Sequence, residues 1–324
     1  MKALFFDGLM LHFIENYNIP EPAENEALVR VLMAGICATD VEITRGYRDF
    51  RGIPGHEFVG IVEQVNGGYP GLVGKRVVGE INFGCGTCEY CLKGVEKHCL
   101  SRTCLGIFDR DGVFAEFVTL PLRNLWEVPD SVDDETAVFT EPLAAVFQVL
   151  QEVHVAPTDK CAILGDGKVG LLLALVLAKT WSHTVLIGKH DSKLAIAARQ
   201  DVPTKRHDAI ELKPSYNIVI DATGSPEGVG TAIGLVKPRG TIVLKTTVAG
   251  KSSVDLSRVV VDEIKVVGSR CGPFPPALGA LARQRVDVKP LISAIYPFDQ
   301  ALAGFEKAGE KGIIKVLLDF RQTR

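Results

Sequence analysis

Lys160-Cys161-Ala162-Ile163-Leu164-Gly165-Asp166-Gly167-Lys168-Val169-Gly170-Leu171-Leu172-Leu173-Ala174-Leu175-Val176-Leu177-Ala178 is the stretch that decides the fold. It reads as a buried strand, a tight glycine turn and an apolar helix from Leu171 to Ala178. The turn has the form G-x-G-x-x-G, a pattern that recurs by chance when it stands alone. Here a strand precedes it, a helix follows, and a second strand, Thr184-Val185-Leu186-Ile187, ends at Gly188, so one βαβ unit surrounds it. In such a unit Gly165 allows the turn, Gly167 lets backbone approach a pyrophosphate, and Gly170 lets helix and strand pack closely. The helix start, at Lys168 and Val169, then turns its N–H groups toward the phosphates.

Downstream, Asn217-Ile218-Val219-Ile220-Asp221-Ala222-Thr223-Gly224, Gly240-Thr241-Ile242-Val243-Leu244 and Ile264-Lys265-Val266-Val267-Gly268-Ser269 read as further strands. Each ends near Gly, Ser or Thr, as strands do where they border a cofactor crevice, and Thr223 is the border residue of the first. The expectation is an α/β fold with a doubly wound parallel sheet of Rossmann type. A dinucleotide with a free ribose 2′-hydroxyl usually meets Asp or Glu at the end of the second strand. This chain has Gly188 there, followed by Lys189 and His190, so NADP(H) is expected over NAD(H). Asp191 lies past the ribose position and is expected to cap the helix that begins near Ser192.

Upstream, residues 1 to about 130 alternate short apolar strands with turns. Ala27–Met33, Phe58–Val65 and Val113–Pro121 have strand composition, and Asn66-Gly67-Gly68 supplies a turn. Within this β-rich part lies Cys85-x2-Cys88-x2-Cys91-x7-Cys99. Four thiolates at these spacings close a tetrahedral zinc shell and leave no position for water, which makes a structural site. A bacterial-ferredoxin iron–sulfur run places three residues and then a Cys-Pro; this chain has seven, and then Leu100. A second donor set is spread wider: Cys37 in Gly35-Ile36-Cys37-Ala38-Thr39-Asp40, His56 and Glu57 in Pro54-Gly55-His56-Glu57, and Glu141 before Pro142. A soft thiolate, an imidazole and a carboxylate are what a catalytic zinc needs, with one position left open.

Taken together and in this order, these motifs resemble those of the zinc-dependent medium-chain alcohol, polyol and threonine dehydrogenases over nearly the whole chain. The resemblance implies a GroES-like, partly closed β-barrel catalytic domain at residues 1–145, a Rossmann domain at 146–289, and a return to the catalytic domain at 290–324. It implies that Cys37 and His56 bind catalytic zinc, with Glu57 and Glu141 as alternates for the remaining ligation. It places Thr39 to pass the alcohol proton outward and Asp40 to hold the far nitrogen of His56. Lys315 joins the cofactor-binding set with Gly165, Gly167, Lys168, Val169, Gly170, Gly188, Lys189, His190 and Thr223. Two zinc ions per chain follow, as does a homodimer or homotetramer formed through Rossmann edge strands near Ile264–Ser269.

Composition agrees with an ordinary globular chain. The 324 residues are 47% hydrophobic and 23% charged, enough for two domains, and the net charge of −3 offers no overall basic field for nucleic acid or anionic membrane. The longest apolar run, Val169 to Ala178, is half of what a bilayer requires, and the start lacks a secretory signal. In a reducing cytoplasm, the expected location, eight cysteines mean metal or burial rather than disulfides. The expected activity is hydride transfer between an alcohol or polyol and NADP. Its alternatives are an NAD-preferring threonine- or sugar-type dehydrogenase and, in another class, a non-catalytic Rossmann redox sensor or regulator, against which the full set of ligand types argues. Arg48 and Arg51, in the short segment before Pro54, are candidates to receive a carboxylate or phosphate on the substrate, or solvated loop charges.

Overall fold

The structure, a computed structural model, describes every residue except 47–48, 181–182, 248–250 and 322–324. Arg48 therefore lies outside the described residues. Two compact units divide the chain: Met1–Glu141, Ala277–Ala282 and Ile292–Arg324 form the first, Pro142–Pro276 and Arg283–Leu291 the second.

The first unit is built on the Glu26–Ile36 strand, which pairs antiparallel with Glu57–Asn66, Phe117–Pro121 and Lys315–Asp319. Its side chains alternate between half-buried and buried as far as Arg30 and are buried without interruption from Val31 to Ile36. Glu57–Asn66 runs along one edge, and the other edge carries Phe117–Pro121 as far as Arg30 and Lys315–Asp319 from Met33. The sheet continues through Arg76–Gly79 to Leu125–Glu127 on one side and through Ile292–Pro297 on the other. Most of the expected Val113–Pro121 strand is shorter in the structure, where only Phe117–Pro121 is regular. The preceding residues instead cross the Pro54-Gly55 turn, with Phe114 N–H donating to Pro54 O at 3.1 Å and Val113 N–H to Gly55 O at 3.0 Å.

The second unit holds a six-stranded parallel sheet in the order Thr204–Arg206, His183–Gly188, Lys160–Leu164, Tyr216–Asp221, Val236–Leu244, Lys265–Gly268. Numbered along the chain this is 3-2-1-4-5-6, the doubly wound Rossmann arrangement, with its switch point between Lys160–Leu164 and Tyr216–Asp221. The helix Lys168–Leu177 is buried from Gly170 to Leu177, which explains why it is apolar on every side. Ala162, Leu164, Val185, Ile187, Val219 and Ile242 form part of the core beneath the sheet. No helix among the described residues is long and apolar enough to cross a membrane.

Candidate active site

Cys37 ends the central strand of the first unit and caps the helix Ala38–Ile43. That position lets one carboxylate serve two elements. Asp40 Oδ2 accepts from the Cys37 backbone N–H at 2.7 Å, and its Oδ1 lies 3.1 Å from His56 Nδ1. With Nδ1 beside the Asp40 carboxylate, the other ring nitrogen is left for a ligand. Asp40, His56 and Glu57 are all buried. Cys37 Sγ, one His56 nitrogen and one Glu57 oxygen lie within 4.8 Å of one another, so the fold brings these three together. Thr39 stands beside them, its Oγ1 3.8 Å from Cys37 Sγ. Glu141 sits half-buried in the first turn of the Thr140–Glu152 helix, outside that 4.8 Å group.

The donor chemistry fits a metal cation. Burial pushes the His56 imidazolium down, yet the Asp40 carboxylate and the Cys37 sulfur outweigh it and raise the group well above the ordinary histidine range. A buried spot that favours positive charge, lined by S, N and O donors, is what zinc with an open position requires. Lys315 is placed differently from the rest of the expected cofactor set: it is buried in the first unit, ion-paired with Glu57 Oε2 and donating to Ile36 O at 3.0 Å. Sequence reading did not foresee that pair, because a lysine at the start of a terminal strand carries no signal of its partner 258 residues earlier.

The four-cysteine cluster is also assembled. Cys88 and Cys91 sulfurs are 3.6 Å apart, Cys85 and Cys91 4.0 Å, and all four offer a sulfur within 4.8 Å of the others. Bonds of about 2.3 Å to a tetrahedral zinc put the sulfurs about 3.8 Å apart. These distances bracket that edge and far exceed a disulfide. Hydrogen bonds from the Thr87 hydroxyl and backbone lower Cys85 to about 5, whereas burial and the neighbouring sulfurs push Cys91 up to about 12. Crowded thiols that cannot all ionise together do so around a cation.

In the second unit the glycine turn follows the Lys160–Leu164 strand, and Gly167 caps the helix. Gly165 has φ +105°, and a Cβ on Gly170 would stand 1.8 Å from Gly165 O, so strand end and helix start approach more closely than side chains allow. Thr223 lies alongside, its hydroxyl donating to Asp221 Oδ1 at 2.7 Å. Asp166, read from sequence only as a spacer between glycines, is a participant. Its Oδ2 accepts from the backbone N–H groups of Lys189 at 2.7 Å and His190 at 2.6 Å, and His190 Nδ1 lies 3.1 Å from both of its oxygens. Arg206 reaches the same turn by donating to Lys189 O, while Asp191 at 3.2 Å and Asp208 at 2.8 Å take up its charge. Gly188 leaves the end of the second strand without an acid, as expected, and the glycine turn brings the Asp166 carboxylate to it. Two glycines flanking an acid, combined with glycine at the end of the second strand, were the signal that could have shown it.

Residues 23–130 match the alcohol dehydrogenase GroES-like domain. An L-threonine 3-dehydrogenase of Bacillus velezensis is 30% identical over 93% of this chain and 93% of its own length. The D-arabitol-phosphate dehydrogenase of Enterococcus avium is 28% identical over 93% of this chain and 92% of its own. Among solved structures, the alcohol dehydrogenase RspB of Escherichia coli CFT073, complexed with NADH, superposes with a TM-score of 0.92 at 27% identity, covering 99% of both chains. A protein of Sinorhizobium meliloti 1021 classed as a zinc-binding dehydrogenase, bound to NADP, gives 0.89 at 27% identity over 98% of both. Fold and site define an α/β oxidoreductase with a GroES-like domain and a Rossmann domain. The chain belongs to the zinc-type medium-chain dehydrogenase family that includes alcohol, polyol and threonine dehydrogenases.

Proposed function

We propose that this chain is a zinc-dependent dehydrogenase that transfers a hydride between an alcohol or polyol and a nicotinamide cofactor, a secondary alcohol becoming a ketone or the reverse. The observation that carries the reading is the Cys37–His56–Glu57 donor group, brought within 4.8 Å in a chain that also has a dinucleotide turn at Gly165–Gly170. Cys37, His56 and either Glu57 or Glu141 would hold the catalytic ion, and Cys85, Cys88, Cys91 and Cys99 a structural one. When bound, the catalytic ion supplies Lewis-acid polarisation of the substrate oxygen. Asp40 keeps His56 in one orientation from its place between the Cys37 N–H and Nδ1. Thr39 Oγ1, beside Cys37 Sγ, is the group that would carry the hydroxyl proton away, and a bound nicotinamide would supply the hydride acceptor or donor.

Their place after Gly188 makes Lys189 and His190 the residues that favour NADP(H) over NAD(H), while Asp166, which accepts from both of their backbone N–H groups, opposes it. Self-association is part of the same reading. The Lys265–Gly268 strand is the last of its sheet, and Leu256, Val260, Val261 and Val266 nearby are 64%, 75%, 80% and 46% exposed, an apolar edge suited to a second copy. Eight cysteines read as metal ligands or buried thiols suit a reducing cytoplasm. Metal analysis of purified protein, followed by a panel of alcohols, polyols and hydroxy acids with both cofactors, tests the proposal. Two zincs per chain and dinucleotide-dependent turnover are expected; a zinc-loaded protein inert across the panel and its carbonyl counterparts would sink it.

A further inference from the structure

Asp166 is the second residue of the G-x-G turn, and its side chain is directed at the end of the neighbouring strand. A Cβ built on Gly188 would lie 2.5 Å from Asp166 Oδ2 and 2.8 Å from its Cγ. The carboxylate therefore fills the space in which a side chain at 188 would begin. It replaces both the volume and the charge of the acid that this fold usually carries at the end of the second strand. Burial works against ionisation of Asp166, but the N–H groups of His190 and Lys189 and the His190 ring overcome it and hold the group below the ordinary carboxylate range. The charge is present at neutral pH. It also consumes the two backbone N–H groups that a phosphate at this turn would need.

We propose that Asp166 is the residue that reads the 2′ position of the cofactor's adenosine ribose, disfavouring a 2′-phosphate against which Lys189, His190 and Arg206 pull in the other direction. The inference rests on the dinucleotide reading of the turn and goes beyond it by assigning the discrimination to one carboxylate in an unusual place. It makes Gly188 obligatory for a steric reason, since any side chain there displaces Asp166. It also predicts that charge can be moved between the two positions: glycine at 166 clears the space that an aspartate at 188 would then occupy.

The test is direct binding of NADH and NADPH, followed by nucleotide fluorescence, to the wild-type chain, to Asp166→Asn and to the double variant Asp166→Gly/Gly188→Asp. Kinetics with both cofactors run in parallel. Asp166→Asn keeps an acceptor oxygen for the turn and removes the charge, so the ratio Kd(NADPH)/Kd(NADH) should fall about tenfold, the scale of one partly screened charge. The double variant restores a carboxylate and should return the ratio to within about threefold of wild type, whether or not Asp166→Asn is well folded. A ratio unchanged in Asp166→Asn, or raised, overturns the proposal, as does a double variant that keeps the neutral variant's ratio. If neither dinucleotide binds the wild-type chain, the dinucleotide reading itself falls, a result distinct from binding without discrimination.

Discussion

Lys315 and Glu57 are both closed off from solvent, and their ion pair offsets the cost of burying each charge. Lys315→Met is expected to leave the buried Glu57 carboxylate without its ammonium partner and lower stability by about 3–5 kcal/mol in urea unfolding. Adding Glu57→Gln should recover most of that loss; a double variant as unstable as the single one would show that the pair is not the cause. Asp40 gives a second prediction at this scale. Because its carboxylate accepts from Cys37 N–H and lies 3.1 Å from His56 Nδ1, Asp40→Ala should weaken zinc binding at the candidate catalytic site about 10–100-fold, read by competition with a chromophoric chelator. Zinc affinity left at the wild-type value would remove Asp40 from that role. Cys37, His56 and Glu57 were legible as candidate donors from residue type and order taken with the family resemblance, and the fold brings them together. Lys315 and Asp166 were not, since each acts on a partner that sequence distance conceals.

At the scale of elements, the two donor groups belong to different kinds of segment. Cys37 and His56 sit at the ends of long paired strands, whereas Cys85–Cys99 occupy a stretch with only short helical turns and the two-residue strand Asn82–Phe83 beside it. A stretch with so little regular structure is one that a bound metal would stabilise by cross-linking it. Cys85→Ser or Cys88→Ser should therefore lower Tm by about 5–10 °C, while His56→Ala should abolish turnover and move Tm by less than about 2 °C. Differential scanning fluorimetry with and without a chelator separates the cases, and equal losses from both sets would erase the distinction. Long periodic elements were readable: Lys160–Leu164 has the expected bounds. Thr204–Arg206 went unseen, because three residues with two cations carry no apolar alternation and become a strand only by pairing with Leu186–Gly188. Val113–Glu116 failed the opposite way: its composition suits a strand, but its backbone bonds go to the Pro54-Gly55 turn and to Lys2.

For the whole molecule, the exposed apolar edge formed by Val260, Val261 and Val266 predicts assembly. Sedimentation at several concentrations should show a dimer or larger species, and Val260→Lys combined with Val266→Lys should shift it toward monomer with each unit still folded; a wild-type monomer throughout would end that reading. The sequence by itself determined the class of fold, since glycine spacing and apolar periodicity are local properties that backbone sterics and burial translate directly into strand, turn and helix. It also offered the donor types for two candidate metal sites, because thiolates and imidazoles at those positions have few other uses in combination. Only the tertiary structure decided where charges meet. The return of the Lys315–Asp319 strand against Glu26–Ile36 puts an ammonium onto Glu57, and the alignment of two parallel strands brings the Asp166 carboxylate to Lys189 and His190. Such pairings depend on distances across a sheet, and no period or spacing along the chain encodes them.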